Sequence, residues 1–201
     1  TLLQARNFGA VTTMLFVEFH GTEAGVAEQS ERFGEIAAEF NGGPFDWATR
    51  PEDRTRLWQA RHDAYWAACA LRPGSKVFVS DVCVPISRLA ECIVATQTDL
   101  AESRLVSPIV GHVGDGNFHL CLLIDMDDPG EVSRGEALLG RLVERALAMD
   151  GTCTGEHGVG QGKMKYLDHE LGPAAVDAMR AVKQALDPQG IMNPGKIVAC
   201  P

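Results

Sequence analysis

Two apolar runs separated by Gly114-Asp115-Gly116 constrain this chain most. Residues 105–113 and 117–125 both read as extended. Asp-Gly between such runs is a strong hairpin signal, because a two-residue type I′ turn needs positive φ at both central positions. With Asp115 and Gly116 in the turn, Gly114 faces Asn117, Val113 faces Phe118 and His112 faces His119. Cross-strand neighbours share a face with Cβ atoms about 4.5–5.5 Å apart. The spacing therefore puts two imidazoles within reach of one ion. On the opposite face Phe118, Leu120, Leu122 and Ile124 form an apolar row suited to a core.

The hydrophobic period changes several times along the rest of the sequence, which points to a mixed fold. Residues 12–20 alternate as a strand. Residues 22–40 place Val26, Phe33, Ile36, Ala37 and Phe40 at helical spacing before the stop Asn41-Gly42-Gly43-Pro44. A second helix is expected over 51–69, ended by Arg72-Pro73-Gly74, and a strand over 76–84. Pro85 suits the first turn of a third helix, in which Ile86, Leu89, Ile93 and Leu100 share a face. Further helices are expected over 131–149, with Gly151 just past the end, and over 173–186. Between these two lie a short strand and the glycine-rich stretch 155–162. Strands joined by hairpins as well as by helices give an α+β class. The expected architecture is a largely antiparallel, ferredoxin-like sheet with helices packed on one face.

A chain of 201 residues, 45% hydrophobic and 22% charged, has the composition of an ordinary folded protein. Lys and Arg number 18 against 27 Asp and Glu, and the net charge of −9 argues against nucleic acid or an anionic bilayer as partner. No apolar run approaches the roughly 20 residues of a transmembrane helix, and the first twenty residues lack a signal-peptide pattern. The six cysteines show no C-x-x-C spacing and sit mostly in apolar stretches. Reduced core thiols are expected, and with them an intracellular compartment, cytoplasm or organelle matrix. The chain opens on Thr1 rather than Met, as a fragment would.

Two histidines on one face are either a ligand pair or two unrelated side chains, and a third ligand decides between these. The candidate is Glu156 in Gly155-Glu156-His157-Gly158-Val159-Gly160. Two imidazoles and a carboxylate suit Zn²⁺ or Mn²⁺ and leave positions open for a substrate. His157 is then free to act as a base toward a hydroxyl acidified by the cation. The same open site could instead activate water in a metal-dependent hydrolase, or belong to a noncatalytic module with a structural metal or none. A phosphate loop fails because His157 stands where its first glycine belongs and Met164 where Ser or Thr is required. A dinucleotide fingerprint fails at Gly114-Asp115-Gly116, which lies in a hairpin and lacks the last glycine. Cys121 and Cys153 read as strand residues rather than nucleophiles.

Three segments in order carry a family resemblance: residues 111–119, residues 155–160 and Leu186-Asp187-Pro188-Gln189-Gly190-Ile191-Met192-Asn193-Pro194-Gly195-Lys196. Together they resemble the C-terminal domain of FAD-linked D-2-hydroxyacid dehydrogenases, within the vanillyl-alcohol oxidase superfamily. The group acts on substrates such as D-lactate, glycolate and D-2-hydroxyglutarate. The resemblance spans nearly the whole chain, so 1–201 is expected to be one substrate and metal domain, without the family's FAD-binding domain. It implies a divalent metal held by His112, His119 and Glu156, with His157 as catalytic base and hydride transfer to FAD. It further implies that Arg61 meets the substrate carboxylate, for which a guanidinium fork is suited. The implied partners are a small 2-hydroxy acid, an FAD-binding domain of the same polypeptide and an electron acceptor. That acceptor could bring the protein to a membrane. Family members acting on 2-hydroxyglutarate carry a lysine two residues before the aspartate matching Asp81, whereas this sequence has Val79. With Tyr65 and Trp66 on the neighbouring helix, Val79 favours D-lactate or glycolate over a diacid. Asn193 either ends the domain in a turn or lies near the flavin.

Overall fold

The computed structural model describes residues 13–43, 45 and 47–199, and the chain divides into two units, Thr1–Ala70 and Leu71–Pro201. The first contains helices α1 (Glu23–Glu39), α2 (Pro51–His62) and α3 (Ala64–Ala70). Thr22 caps α1 by accepting a hydrogen bond from the Gly25 N–H at 3.2 Å, and Pro51 occupies the first turn of α2, where its missing N–H costs nothing. The helix expected over 51–69 is interrupted at Asp63, whose N–H is shared between the Arg61 and Gln59 carbonyls. The strand expected over 12–20 does not form within 13–20, and Thr12 lies outside the described residues. Among its described residues this unit has no strand to pair with that segment. The alternation is satisfied by aromatic packing instead: Phe16 lies 6.1 Å from Trp58 and Phe19 lies 5.8 Å from Phe33, ring centre to ring centre.

The second unit is α+β. Its elements are β1 (Lys76–Val79), β2 (Val82–Cys83), α4 (Ile86–Ser103), β3 (Ile109–His112), β4 (Asn117–Ile124), α5 (Pro129–Leu147), α6 (Leu167–Leu171) and α7 (Pro173–Leu186). All pairing is antiparallel around β4, with β3 along one side and β1 and β2 along the other. Beyond these strands, Cys83 and Thr152 form a single antiparallel bridge.

Every residue of β4 is buried, with the even-numbered side chains beneath helices. Phe118, Leu120, Leu122 and Ile124 pack against Leu89 and Cys92 of α4 and Leu138, Leu142, Val143 and Ala146 of α5. Each such large side chain contributes about 1.5–3 kcal/mol of burial. Asp128 caps α5 by accepting from the Gly130 and Glu131 N–H groups at 2.8 and 3.1 Å. A smaller cluster of Leu167, Val176 and Val198 receives Val159, and so anchors the glycine-rich stretch to α6 and α7. No described helix is long and apolar enough to cross a membrane. Cys69, Cys83, Cys92, Cys121 and Cys153 are thiols, three of them buried.

The expected strand over 76–84 is broken at Ser80 and Asp81, yet β1 and β2 keep one register against β4, with Val79 opposite Cys121 and Val82 opposite Phe118. The break is chemical rather than geometric. Ser80 Oγ accepts the Leu120 N–H at 2.7 Å. The Ser80 carbonyl turns instead to the ring of His119, with O to Nδ1 2.8 Å.

Candidate metal and proton-transfer site

The hairpin forms, but in a different register from the expected one. His112 pairs with Asn117, and His119 with Val110. Residues 113–116 make a four-residue connection, a 3-10 turn over Val113–Asp115 followed by Gly116 at φ +77°. A type I′ turn would have needed Asp115 in the left-handed region as well, and Asp115 stays out of it. Gly116 is fixed there by crowding too, since a Cβ would lie 2.0 Å from the Val84 carbonyl oxygen. The slip is two residues, and side chains alternate with period two, so the face is unchanged. His112 and His119 are diagonal neighbours rather than direct ones, with ring centres 6.2 Å apart at 84°. His119 is buried, whereas His112, at the strand end, is exposed.

Glu156 completes the group from the glycine-rich stretch. Its Oε1 lies 2.9 Å from His119 Nε2, 3.6 Å from His112 Nε2 and 3.6 Å from His157 Nε2. The His119 and His157 rings stack at 4.9 Å, 6° from parallel. Because a carbonyl oxygen only accepts, Nδ1 of His119 is the donor to Ser80, and Nε2 is the nitrogen that faces Glu156. Metal-ligating histidines are commonly oriented this way, through the nitrogen that does not bind the ion.

Two sets of groups have ligand atoms within 4.8 Å of one another: His112, His119 and Glu156, and Asp81, His119 and His157. Only the first suits a cation. Asp81 Oδ2 already receives the Lys163 ammonium at 2.9 Å, together with the Gly155 and His157 N–H groups, both at 3.0 Å. Its oxygens are occupied by donors, and a fixed positive charge would repel an ion. Burial pushes the Asp81 carboxyl up, but the bonds from Lys163, the Glu156 and His157 N–H groups and Asn117 outweigh it and hold the group well below the usual carboxylate range. The remaining set, two imidazole nitrogens and a carboxylate with His119 oriented through Nδ1, fits a divalent ion.

The other expected residues are distributed as follows. Val79 faces Cys121 across the ladder, which puts it on the histidine side of the sheet, partly exposed. Arg61 closes α2 and Tyr65 sits in α3, both within the first unit. Asn193 is exposed at φ 47° in a tail joined to the glycine-rich stretch by the Ile197 N–H to Gly160 carbonyl bond at 2.7 Å. Cys153 is poorly suited to act as a nucleophile: burial, with Glu170 beside it, pushes its thiol up to about 12. Sequence reading missed Ser80, Asp81, Asn117 and Lys163 as parts of the site. Asp81 carried a signal, being a charged residue within the apolar run 77–84.

Residues 7–197 match the family described as FAD linked oxidases, C-terminal domain. The chain belongs to that family. As a member of the FAD linked oxidases it is 52% identical over 189 residues, 94% of this chain and 38% of the other, to "Probable D-lactate dehydrogenase, mitochondrial" of Danio rerio. It is 45% identical over 197 residues, 98% of this chain and 35% of the other, to "D-lactate dehydrogenase [cytochrome], mitochondrial" of Arabidopsis thaliana. With "Glycolate oxidase subunit GlcD" of Bacillus subtilis it shares 33% identity over 186 residues, 92% of this chain and 39% of that one. The chain thus spans well under half the length of these relatives. Among solved structures, "4-ethylphenol oxidase from Gulosibacter chungangensis: isoeugenol complex" resembles the fold. Its TM-score is 0.65 at 19% identity, over 90% of this chain and 38% of that one.

Proposed function

We propose that this chain supplies the substrate- and metal-binding part of an FAD-dependent dehydrogenase that oxidises a small D-2-hydroxy acid, D-lactate or glycolate, to the 2-oxo acid. The observation that carries the reading is the convergence of three imidazole Nε2 atoms on Glu156 Oε1, at 2.9 to 3.6 Å. His112, His119 and Glu156 are the ligands for Zn²⁺ or Mn²⁺. When bound, the cation supplies charge stabilisation at the substrate hydroxyl and carboxylate, and FAD, held mainly by another domain of the same polypeptide, supplies the hydride acceptor.

The remaining work falls to side chains. His157 accepts the hydroxyl proton, leaving that electron pair on oxygen to form the new C=O bond as the C2–H bond breaks with its own pair. Arg61 pairs with the substrate carboxylate through two parallel N–H donors. Val79 meets the substrate side chain with uncharged surface, which suits a methyl group or hydrogen and gives a second carboxylate no cation. Asn193 turns the tail toward the flavin. An electron acceptor outside this chain reoxidises the flavin, and the names of two relatives favour an organelle matrix.

The test is anaerobic flavin reduction in the full-length protein. D-Lactate or glycolate should bleach the flavin in the wild type, and His157→Gln should slow that step by about 10²–10⁴-fold. An unimpaired rate in the variant would reject His157 as base.

A further inference from the structure

We propose that Asp81, clamped by Lys163, is the positioning residue that holds Glu156 and His157 against the histidines of the hairpin. The inference rests on reading that cluster as the metal and proton-transfer site. Glu156 and His157 have side chains about half exposed, at 48% and 49%, so packing does not fix them. Their main chain is fixed instead. Asp81 accepts the N–H groups of Gly155, Glu156 and His157, each at 3.0 Å, and the Thr154 hydroxyl at 2.9 Å.

Successive N–H groups pointing at one anion form a nest, an arrangement often used for phosphate or another external anion. Here the protein's own carboxylate fills it. Lys163, at the far end of the same stretch, donates to Asp81 Oδ2 at 2.9 Å and to the Asp81 carbonyl at 2.8 Å. One residue at the break between β1 and β2 thus ties down both ends of the glycine-rich segment. Asn117 Nδ2 adds a bond to Asp81 Oδ1 at 3.0 Å, joining the clamp to β4 two residues before His119. Gly155 makes the approach feasible, since a Cβ there would lie 1.8 Å from Asn117 Nδ2. The result is that both ligand-bearing segments are referred to the same buried carboxylate.

The experiment compares full-length wild type with Lys163→Ala and Lys163→Arg by hydrogen–deuterium exchange, Zn²⁺ competition against a chromophoric chelator, and thermal unfolding. Lys163→Ala should speed exchange in peptides covering 154–158 while β4 exchanges as in the wild type. It should also weaken Zn²⁺ binding by about 10- to 100-fold, and Lys163→Arg should restore most of both. Unchanged exchange over 154–158, exchange that rises equally in β4, or Zn²⁺ affinity within about twofold of wild type would overturn the proposal. Local loosening in a protein whose wild type takes up no Zn²⁺ would refute the metal reading and leave the clamp supported.

Discussion

At Ser80 a single hydroxyl changes what a main-chain carbonyl does. By taking the Leu120 N–H, Oγ releases the Ser80 carbonyl from the ladder to hold the His119 ring. In Ser80→Ala the Leu120 N–H should recapture the Ser80 carbonyl, at a cost of about 1–3 kcal/mol in thermal unfolding as the buried His119 Nδ1–H loses its acceptor. It should also weaken Zn²⁺ binding by about tenfold as His119 loses its orienting partner, measured by chelator competition. Loss of stability with unchanged affinity would show that the carbonyl does not set the ring. Legibility at this scale divides by chemistry. His112, His119, Glu156 and His157 could be singled out as candidates because the hairpin puts two imidazoles on one face and the glycine-rich stretch offers a carboxylate beside a third, and the structure brings the four together. Ser80 and Asp81 act on main-chain groups supplied by residues about 40 and 75 positions away, and a sequence pattern carries no trace of such partners.

Among the elements, periodicity survived where turn chemistry did not. The face shared by His112 and His119 follows from a period of two and tolerates any even slip. The register depends on the local conformation of four residues, and Asp-Gly is compatible with more than one loop. Residues 13–20 show the converse: half-buried Met14, Phe16 and Phe19 lie among exposed neighbours, and such a segment becomes a strand only when a partner edge exists. Helices α4 and α5 were legible from their apolar stripes, but the polar tie between them was not. Asp99 on α4 accepts from Arg141 and Arg145 on α5, with Arg145 to Asp99 at 2.9 Å. The hydrogen bond from Arg141, opposed by burial and aided by Arg145, lowers the Asp99 carboxyl below its ordinary range. A depressed folded-state value stabilises the native state above the unfolded carboxyl pKa of about 4, and that contribution fades as pH falls further. Asp99→Asn should therefore destabilise the protein by about 1–3 kcal/mol at pH 7, with the gap to wild type narrowing below about pH 4 in denaturant titrations. A gap independent of pH would mean that the charge is not what counts.

For the molecule as a whole, the described structure gives two units, and membership of the FAD linked oxidases attaches the chain to flavin chemistry. Fold class was readable because hairpins and helices alternate in the second unit. The proposed substrate preference rests on one position of the sheet, where Val79 lies on the face that carries His119. Full-length protein should turn over D-lactate in preference to D-2-hydroxyglutarate, and Val79→Lys should move the ratio of kcat/KM toward the diacid by about tenfold, one well-placed ion pair. An unmoved ratio would remove Val79 from the specificity determinants. The central claim, a cation held by His112, His119 and Glu156 with His157 outside the ligand set, is tested most directly by metal content. After loading and desalting, full-length wild type and His157→Gln should each retain about one Zn²⁺ or Mn²⁺ per chain by mass spectrometry, and His119→Ala close to none. Equal retention in all three proteins, or loss in His157→Gln alone, would contradict it.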